Sequence, residues 1–439
     1  MTATAIILAA GLGTRMKSAL PKALHPIAGR PMLRHLLASC EGVFDRIVVV
    51  VGPDMHAVEK IAAPHTVVLQ HERLGTAHAA LQAADMFGDG DVAVLYADNP
   101  LIRPETLQKL CARRTGVDVG LALLAMRPAD PGRYGRVIAN GSIVDRIVEW
   151  RDASEAEREV GLCNAGVLCA SATNMRRWLA AVGNDNANGE YYLTDLVALA
   201  RADKMNVVAV EAPEDELRGV NSRAELAQAE ATVQGWLRQA AMESGVTMTA
   251  PETVFLSADT IFEPDVSVAP NVIFGLGVTV RAGAVIRSFC HLESCDVGPG
   301  AIIGPFARLR PGTLVGADAH VGNFVELKAT RLGAGAKANH LAYLGDSDIG
   351  AGTNIGAGSI TCNYDGFDKF RTTIGANVFI GSDSVLVAPV TIADGAFVTA
   401  GSVITRDVAA DAMAFGRATQ VEKPGRAAEF RAAKRKSKA

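Results

Sequence analysis

The earliest residues with the types and spacing for chemistry follow a short apolar run: Leu8-Ala9-Ala10-Gly11-Leu12-Gly13-Thr14-Arg15-Met16, with Pro21-Lys22 a few residues on. Glycines at a strand end let backbone approach a ligand closely, and consecutive N–H groups can cradle phosphate oxygens. Arg15 and Lys22 are the cations that a triphosphate and a departing pyrophosphate require. The pattern is not a P-loop, because no Gly-Lys-Ser/Thr follows. Nor is it a dinucleotide fingerprint, because only two glycines stand at that spacing. A second set lies late in the chain. His340, in Asn339-His340-Leu341-Ala342-Tyr343, has the side chain for a general base, although a lone histidine equally serves a structural role. Arg310 and Lys328 interrupt a stretch of apolar and small residues, which suits either an anion partner or a solvated surface.

The elements that must position these residues differ between the two halves. Up to about residue 223, β-branched runs alternate with amphipathic stretches. Ile6-Ile7-Leu8, Ile47-Val48-Val49-Val50-Val51, Val67-Val68-Leu69 and Val92-Ala93-Val94-Leu95-Tyr96 predict strands buried on both faces. Pro31 to Ser39 and Thr76 to Met86 are the clearest helices between them. The alternation predicts an α/β domain with a mostly parallel sheet. Residues 222 to about 243 predict one long helix, with Ser222 as N-cap and Gly245 just past its end.

From Val266 the apolar period becomes six. Val268, Phe274, Val280, Ile286 and Leu292 form a first series; Val297, Ile303, Leu309, Val315, Val321 and Leu327 continue it after a one-residue slip. Ile374, Ile380, Leu386, Ile392, Val398 and Ile404 resume it in a third phase. With 49% hydrophobic residues overall, a chance match at all of these positions is on the order of one in a hundred thousand. A parallel β-helix has this period, each hexad being one flat face with its aliphatic residue turned inward and a small residue at the corner. The pattern is weak around His340. Between Thr361 and Thr373 a polar, aromatic insertion interrupts it, and such loops often carry function. The basic tail from Arg431 to Ala439, with Lys434-Arg435-Lys436-Ser437-Lys438, is expected to be solvated and partly disordered.

Composition narrows the classes. Lys+Arg 43 against Asp+Glu 47 gives −4, which lacks the excess of cations a nucleic-acid binder needs. The seven cysteines are scattered without metal-finger spacing, which fits a reducing cytoplasm better than a disulfide framework. The first apolar run is too short for a membrane span and leads into a glycine turn, so no membrane segment and a cytoplasmic location are expected.

The Gly-x-Gly-Thr-Arg loop with Pro21-Lys22 resembles that of the sugar-nucleotide pyrophosphorylases. Together with the hexads, nearly the whole chain is similar to the bacterial bifunctional N-acetylglucosamine-1-phosphate uridylyltransferase/glucosamine-1-phosphate acetyltransferase family. The resemblance implies a Rossmann-like α/β nucleotidyltransferase domain (1–223), a linker helix (224–244) and a left-handed parallel β-helix (245–439).

It further implies that Leu8, Ala9, Ala10, Gly11 and Lys22 hold UTP, that Gln70, Gly75 and Thr76 contact uracil, and that Gly135, Glu149 and Asn164 hold the sugar. Asp98, in Tyr96-Ala97-Asp98, and Asn221 would bind Mg²⁺, a hard cation that prefers oxygen ligands. Read by themselves, an aspartate after a strand or an asparagine before a helix could equally be a cap. The family reads Tyr-Gly-Asp where this chain has Ala97, a methyl added where backbone meets the nucleoside. In the second half the resemblance implies His340 as general base beside Glu326. Arg310, Lys328 and Tyr343 would grip glucosamine 1-phosphate, with Asn354, Asn363 and Tyr364 at the amino sugar. Ala357, Ser382, Ala400 and Arg417 would lie along acetyl-CoA. It also implies a homotrimer. In-line attack of N-acetylglucosamine 1-phosphate on UTP needs no covalent protein intermediate, consistent with the missing Ser/His or Cys/His pair at the first site. A pyrophosphorylase of other specificity, or a non-catalytic scaffold, are the alternatives that the residue set must exclude.

Overall fold

The computed structural model describes residues 3–186 and 188–436. Its contacts divide the chain into two units, Met1–Leu237 and Arg238–Ala439. The division falls inside a single long helix, Arg223–Glu243, so the long helix is present where the sequence predicts it. Ser222 Oγ accepts the Glu225 N–H at 3.3 Å and so caps it.

The first unit is built on a nine-stranded sheet. Its strands are β1 (Ala3–Leu8), β2 (Arg46–Val51), β3 (Thr66–Leu69), β4 (Asp91–Tyr96), β5 (Val119–Met126), β6 (Arg136–Asn140), β7 (Ile143–Val148), β8 (Cys163–Ser171) and β9 (Asn206–Glu211). The spatial order is β3-β2-β1-β4-β8-β5-β9-β7-β6. Parallel pairing runs from β3 to β4; β8 is antiparallel to both its neighbours, and β6–β7 is an antiparallel hairpin. The sheet is therefore more mixed than expected. Polar residues break the apolar runs of β6 and β7, Arg136 at the start of one and Asp145-Arg146 in the middle of the other.

Strands β1, β2 and β4 are buried along nearly their whole length, as their aliphatic runs require. Strand β3 corrects the expectation: it is the sheet edge, and none of its residues is fully buried. Of the two helices expected, α1 spans Met32–Glu41, whereas α2 covers Thr76–Leu81 and a 3₁₀ turn, Ala84–Met86, replaces its continuation. The chain winds outward from β1 through β2 to β3 and then crosses to β4 on the other side. Ligands of open α/β sheets bind at such a switch point, beyond the strands' carboxyl ends. The loop after Leu8 and the residues after Tyr96 lie there, with Leu8 paired to Tyr96.

The second unit is a parallel β-helix whose three sheets have ten, eight and eight strands. All the aliphatic residues of the period-six series point inward, the least buried being Ile404 at 6% exposure. The weak stretch around His340 is a continuation of the same comb: Leu332, Ala338, Leu344, Ile349, Ile355 and Thr361 are 3% exposed or less. Five-residue steps at Leu332 and Ile349, with alanine and threonine at two inward positions, hide it from a strict period-six search. Small residues follow the inward position because successive turns stack closely. A Cβ on Gly316, for instance, would lie 2.6 Å from the Ala334 nitrogen of the next turn. The tail departs from expectation in forming a helix, Arg426–Lys436, rich in alanine and in basic residues that favour helix. Its described side chains are exposed, and Ser437, Lys438 and Ala439 lie outside the described residues.

Candidate functional site

In the first unit two adjoining cavities open at the switch point, of about 250 and 600 Å³. Leu8, Ala9, Ala10, Gly11, Lys22, Gln70, Gly75 and Ala97 line the smaller. Arg15, Gly135, Glu149, Asn164 and Asn221 line the larger, and Thr76, Tyr96 and Asp98 border both. Arg15 and every amino-terminal residue that the resemblance assigns to nucleotide, sugar or metal therefore line one or both of these adjoining cavities.

Local structure explains why they converge. The Ala97 N–H donates to Leu8 O at 3.1 Å, holding the Tyr96-Ala97-Asp98 turn against the glycine loop. The Val220 N–H donates to Asp98 O at 2.8 Å, which brings Asn221 beside Asp98. Lys22 Nζ donates to the Asp98 carboxylate and, at 2.7 Å, to Asn221 Oδ1; Arg15 donates to the same Oδ1, also at 2.7 Å. Neither candidate ligand is a helix cap, since Ser222 caps the long helix and both oxygens turn to the cations. Two hard oxygen donors thus meet at one cationic point, the position of Lys22 Nζ. Magnesium is commonly held by one or two protein oxygens together with water and phosphate oxygens, and this pair fits it.

The hollow is a desolvating environment. Burial pushes the Tyr96 phenol up to about 12. Burial, with the Asp152 and Asp195 carboxylates adding to it, raises Glu149 above the usual carboxylate range. Gln70 is buried, and its Nε2 donates to Gly75 O at 3.3 Å. Arg73 was not singled out from the sequence, although it lies between Gln70 and Gly75. It lines the smaller cavity, and its Nε donates to Ala10 O at 2.7 Å, bracing the glycine loop.

In the second unit the polar residues come from neighbouring turns. Strand pairing sets Glu326 beside Tyr343 and Lys328 beside Gly345. Arg310 donates to Glu326 at 2.8 Å, and Lys328 Nζ to Asp346 at 3.0 Å. Asn363, 7% exposed, donates to the same Asp346 carboxylate. Burial pulls Asp346 upward, but the Lys328 and Asn363 hydrogen bonds outweigh it and hold the group below its ordinary range. Lys369, in the insertion, has its ammonium beside that of Lys328, which lowers its proton affinity.

His340 is exposed, and its Nδ1 pairs with Asn323 Oδ1 at 2.8 Å. Because that oxygen only accepts, Nδ1 carries a proton and Nε2 is the basic nitrogen of the neutral ring. Glu326, expected to orient the base, is hydrogen-bonded to Arg310, and Asn323 is the group on the imidazole. Asn323 and Asp346 leave no signal of their own in the sequence, each being a single polar residue one turn away from its partner.

Ala357, Ser382 and Ala400 climb one corner on successive turns. The Asp383 N–H donates to Ala357 O, the Gly401 N–H donates to Ser382 O, and Arg417 follows beside Gly401. Asn354 pairs with Lys337 on the strand next to Ala338. Tyr364 stands apart: it is 58% exposed, and its hydroxyl donates to Gly366 O inside the insertion's own turn. Among the described residues no hydrogen bond joins the His340–Asn323 pair to the Lys328–Asp346 cluster, which occupies the following strand of the same turn.

A family model described as a MobA-like NTP transferase domain matches residues 5–161, and one described as bacterial transferase hexapeptide (six repeats) matches residues 371–406. Over 440 residues the chain is 67% identical to the bifunctional protein GlmU of Gluconacetobacter diazotrophicus, covering 99% of this chain and 95% of that protein. It is 65% identical over 433 residues to its counterpart in Acidiphilium cryptum, with 99% of each covered. A third relative of the same name, from Granulibacter bethesdensis, is 64% identical over 432 residues, covering 98% and 96%. With a nucleotide-sized hollow in one unit, a hexapeptide β-helix in the other and end-to-end likeness of this degree, the chain belongs to the bifunctional GlmU family.

Proposed function

We propose that the chain makes UDP-N-acetylglucosamine in two steps at two sites. The β-helix (245–439) acetylates glucosamine 1-phosphate with acetyl-CoA, and the α/β domain (1–223) joins the product to UMP from UTP, with 224–244 as the connection. The observation that carries this reading is the presence of two separate constellations, Arg15–Lys22–Asp98–Asn221 in one unit and His340–Asn323 with Arg310 and Lys328 in the other.

At the first site a phosphate oxygen of N-acetylglucosamine 1-phosphate attacks the α-phosphorus of UTP in line, and the bond to the β-phosphate breaks to release pyrophosphate. Such a reaction is driven by positioning and by neutralising charge that builds on the phosphate oxygens. Arg15 and Lys22 supply two cations at that point. Asp98 and Asn221 would hold Mg²⁺, which when bound neutralises phosphate oxygens. Lys22 then turns from the Asp98 carboxylate to the phosphates. Ala97, 4% exposed at the cavity wall, narrows the space for the nucleoside.

At the second site the amine must lose a proton before it can attack. His340 Nε2 takes it, while Asn323 holds Nδ1. The amine nitrogen bonds to the thioester carbonyl carbon, the C–S bond breaks, and CoA leaves as the thiol. Arg310 and Lys328 hold the sugar phosphate, and the corner of small residues leaves room for the pantetheine arm. The flat faces of a β-helix suit threefold packing, and we take the working form to be a trimer whose neighbouring copy helps to close the acetyl-CoA pocket. No helix among the described residues is long and apolar enough to cross a membrane, which is compatible with the cytoplasmic location proposed here.

Incubating the chain with glucosamine 1-phosphate, acetyl-CoA, UTP and Mg²⁺ should yield UDP-N-acetylglucosamine, pyrophosphate and CoA, identified by mass. A nucleotide sugar lacking the acetyl group, or no product from either half-reaction, would refute the proposal.

A further inference from the structure

We infer that Asp346 is a positioning residue for acetyl transfer, its carboxylate holding the phosphate-side cation Lys328 and the amine-side amide of Asn363 in one geometry above Gly345. The inference rests on the acetyltransferase reading given above, in which Lys328 and Asn363 meet different ends of the same small substrate. Those two side chains come from different turns, and Asn363 stands where the insertion begins.

Asp346 is placed to join them. Its N–H donates to Lys328 O at 2.9 Å, and its carbonyl accepts the Thr372 N–H at 3.1 Å, where the chain returns from the insertion. Its side chain is 18% exposed, and its oxygens lie 3.0 and 3.3 Å from Lys328 Nζ. Oδ2 also accepts from Asn363 Nδ2. The residue before it completes the arrangement by having no side chain. A Cβ on Gly345 would lie 2.5 Å from the Tyr343 hydroxyl and 2.7 Å from Asn363 Nδ2. The Gly345-Asp346 corner thus gathers Tyr343, Lys328 and Asn363, three of the residues assigned to substrate.

Ordering a lysine before the substrate arrives lowers the entropy lost on binding, provided that the holding group also leaves the cation facing the phosphate. A contrary effect has the opposite sign. If Asp346 merely offset positive charge, removing it would leave Lys328, Lys369 and Arg310 less compensated and would tighten the grip on any phosphate. Positioning and charge balance therefore predict opposite changes in KM.

The test uses the full chain with Asp346→Ala, Asp346→Asn and Gly345→Ala, measuring acetyl transfer against each substrate, uridylyl transfer and thermal unfolding. Positioning predicts that Asp346→Ala raises the KM for glucosamine 1-phosphate about tenfold, with a smaller fall in kcat and little change in the KM for acetyl-CoA. Asp346→Asn, which keeps shape and one acceptor, should lie between. Gly345→Ala, with the carboxylate intact but Tyr343 and Asn363 displaced, should also raise that KM. Uridylyl transfer should stay within about twofold of the unaltered chain in all three. A lower KM for the sugar phosphate in Asp346→Ala overturns the inference in favour of charge balance. Unchanged KM values overturn it outright, and equal losses toward both substrates with a lower melting temperature reduce Asp346 to a fold-stabilising residue. If Asp346→Ala does not fold, Asp346→Asn decides by the same criteria. Were the unaltered chain itself unable to acetylate glucosamine 1-phosphate, the acetyltransferase reading would fall first; normal transfer with indifferent variants would sink the Asp346 assignment alone.

Discussion

The two units assemble polar clusters in opposite ways. In the amino-terminal unit Arg15 and Asn221 meet across 206 residues of sequence, and Lys22 and Asn221 across 199. In the carboxy-terminal unit Arg310–Glu326, Asn323–His340 and Lys328–Asp346 are 16, 17 and 18 residues apart, one turn of the helix in each case. The first cluster exists only once the sheet has closed around its switch point, whereas the second follows from local register and needs only a few stacked turns. The electrostatics diverge with the geometry. The first site is a hollow, and burial raises the Glu149 carboxyl group on its wall. The second lies along the outside of the β-helix, where the Lys328 and Asn363 hydrogen bonds outweigh burial and hold Asp346 low.

That contrast can be broken at several points. The largest effect is expected from Asp98→Ala, which removes the carboxylate shared by Lys22 and the proposed Mg²⁺ site. Uridylyl transfer should fall by about a thousandfold or more, with acetyl transfer by the same chain intact. Separate assays of the half-reactions check it, and a matching loss of acetyl transfer would contradict the separation of sites.

Asn323→Ala should act more mildly and on the other half-reaction. The imidazole keeps its strand but loses the partner that fixes its tautomer, so the kcat of acetyl transfer should drop about tenfold while KM moves little. A change confined to KM would instead make Asn323 a substrate contact.

The smallest effect concerns stability. Folding raises Glu149 above its unfolded value, by burial first and the Asp152 and Asp195 charges next, so the folded chain binds a proton that the unfolded chain releases. Stability therefore declines as pH rises from the ordinary carboxylate range through the raised value. Glu149→Gln removes this loss and should lift the melting temperature at pH 7 by about 1–2 °C. The gain should vanish at a pH below the ordinary carboxylate range, and uridylyl transfer should weaken because the sugar cavity loses a charged wall. A melting temperature equally raised at all pH values would assign the effect to packing.

Legibility in the sequence followed the same divide. Period six placed the β-helix core because inward positions recur, and its apparent gap came from five-residue steps at Leu332 and Ile349 together with Ala338 and Thr361 in place of aliphatics. Strands β1, β2 and β4 were readable as β-branched runs. The antiparallel β6, β7 and β8 were not, because polar and small residues such as Arg136, Asp145, Arg146, Asn164 and Gly166 interrupt their apolar runs. Residues on the glycine loop could be named from local pattern and resemblance. Asn323, Asp346 and Arg73 could not, since their significance lies in a partner that only folding brings near.

The claim that two independent sites share one chain is tested most directly by His340→Ala in the full-length protein, with both half-reactions measured on the same preparation. The account predicts that acetyl transfer drops by at least a hundredfold while uridylyl transfer of supplied N-acetylglucosamine 1-phosphate stays near that of the unaltered chain. Retained acetyl transfer, or equal loss of both activities in a folded protein, would contradict it.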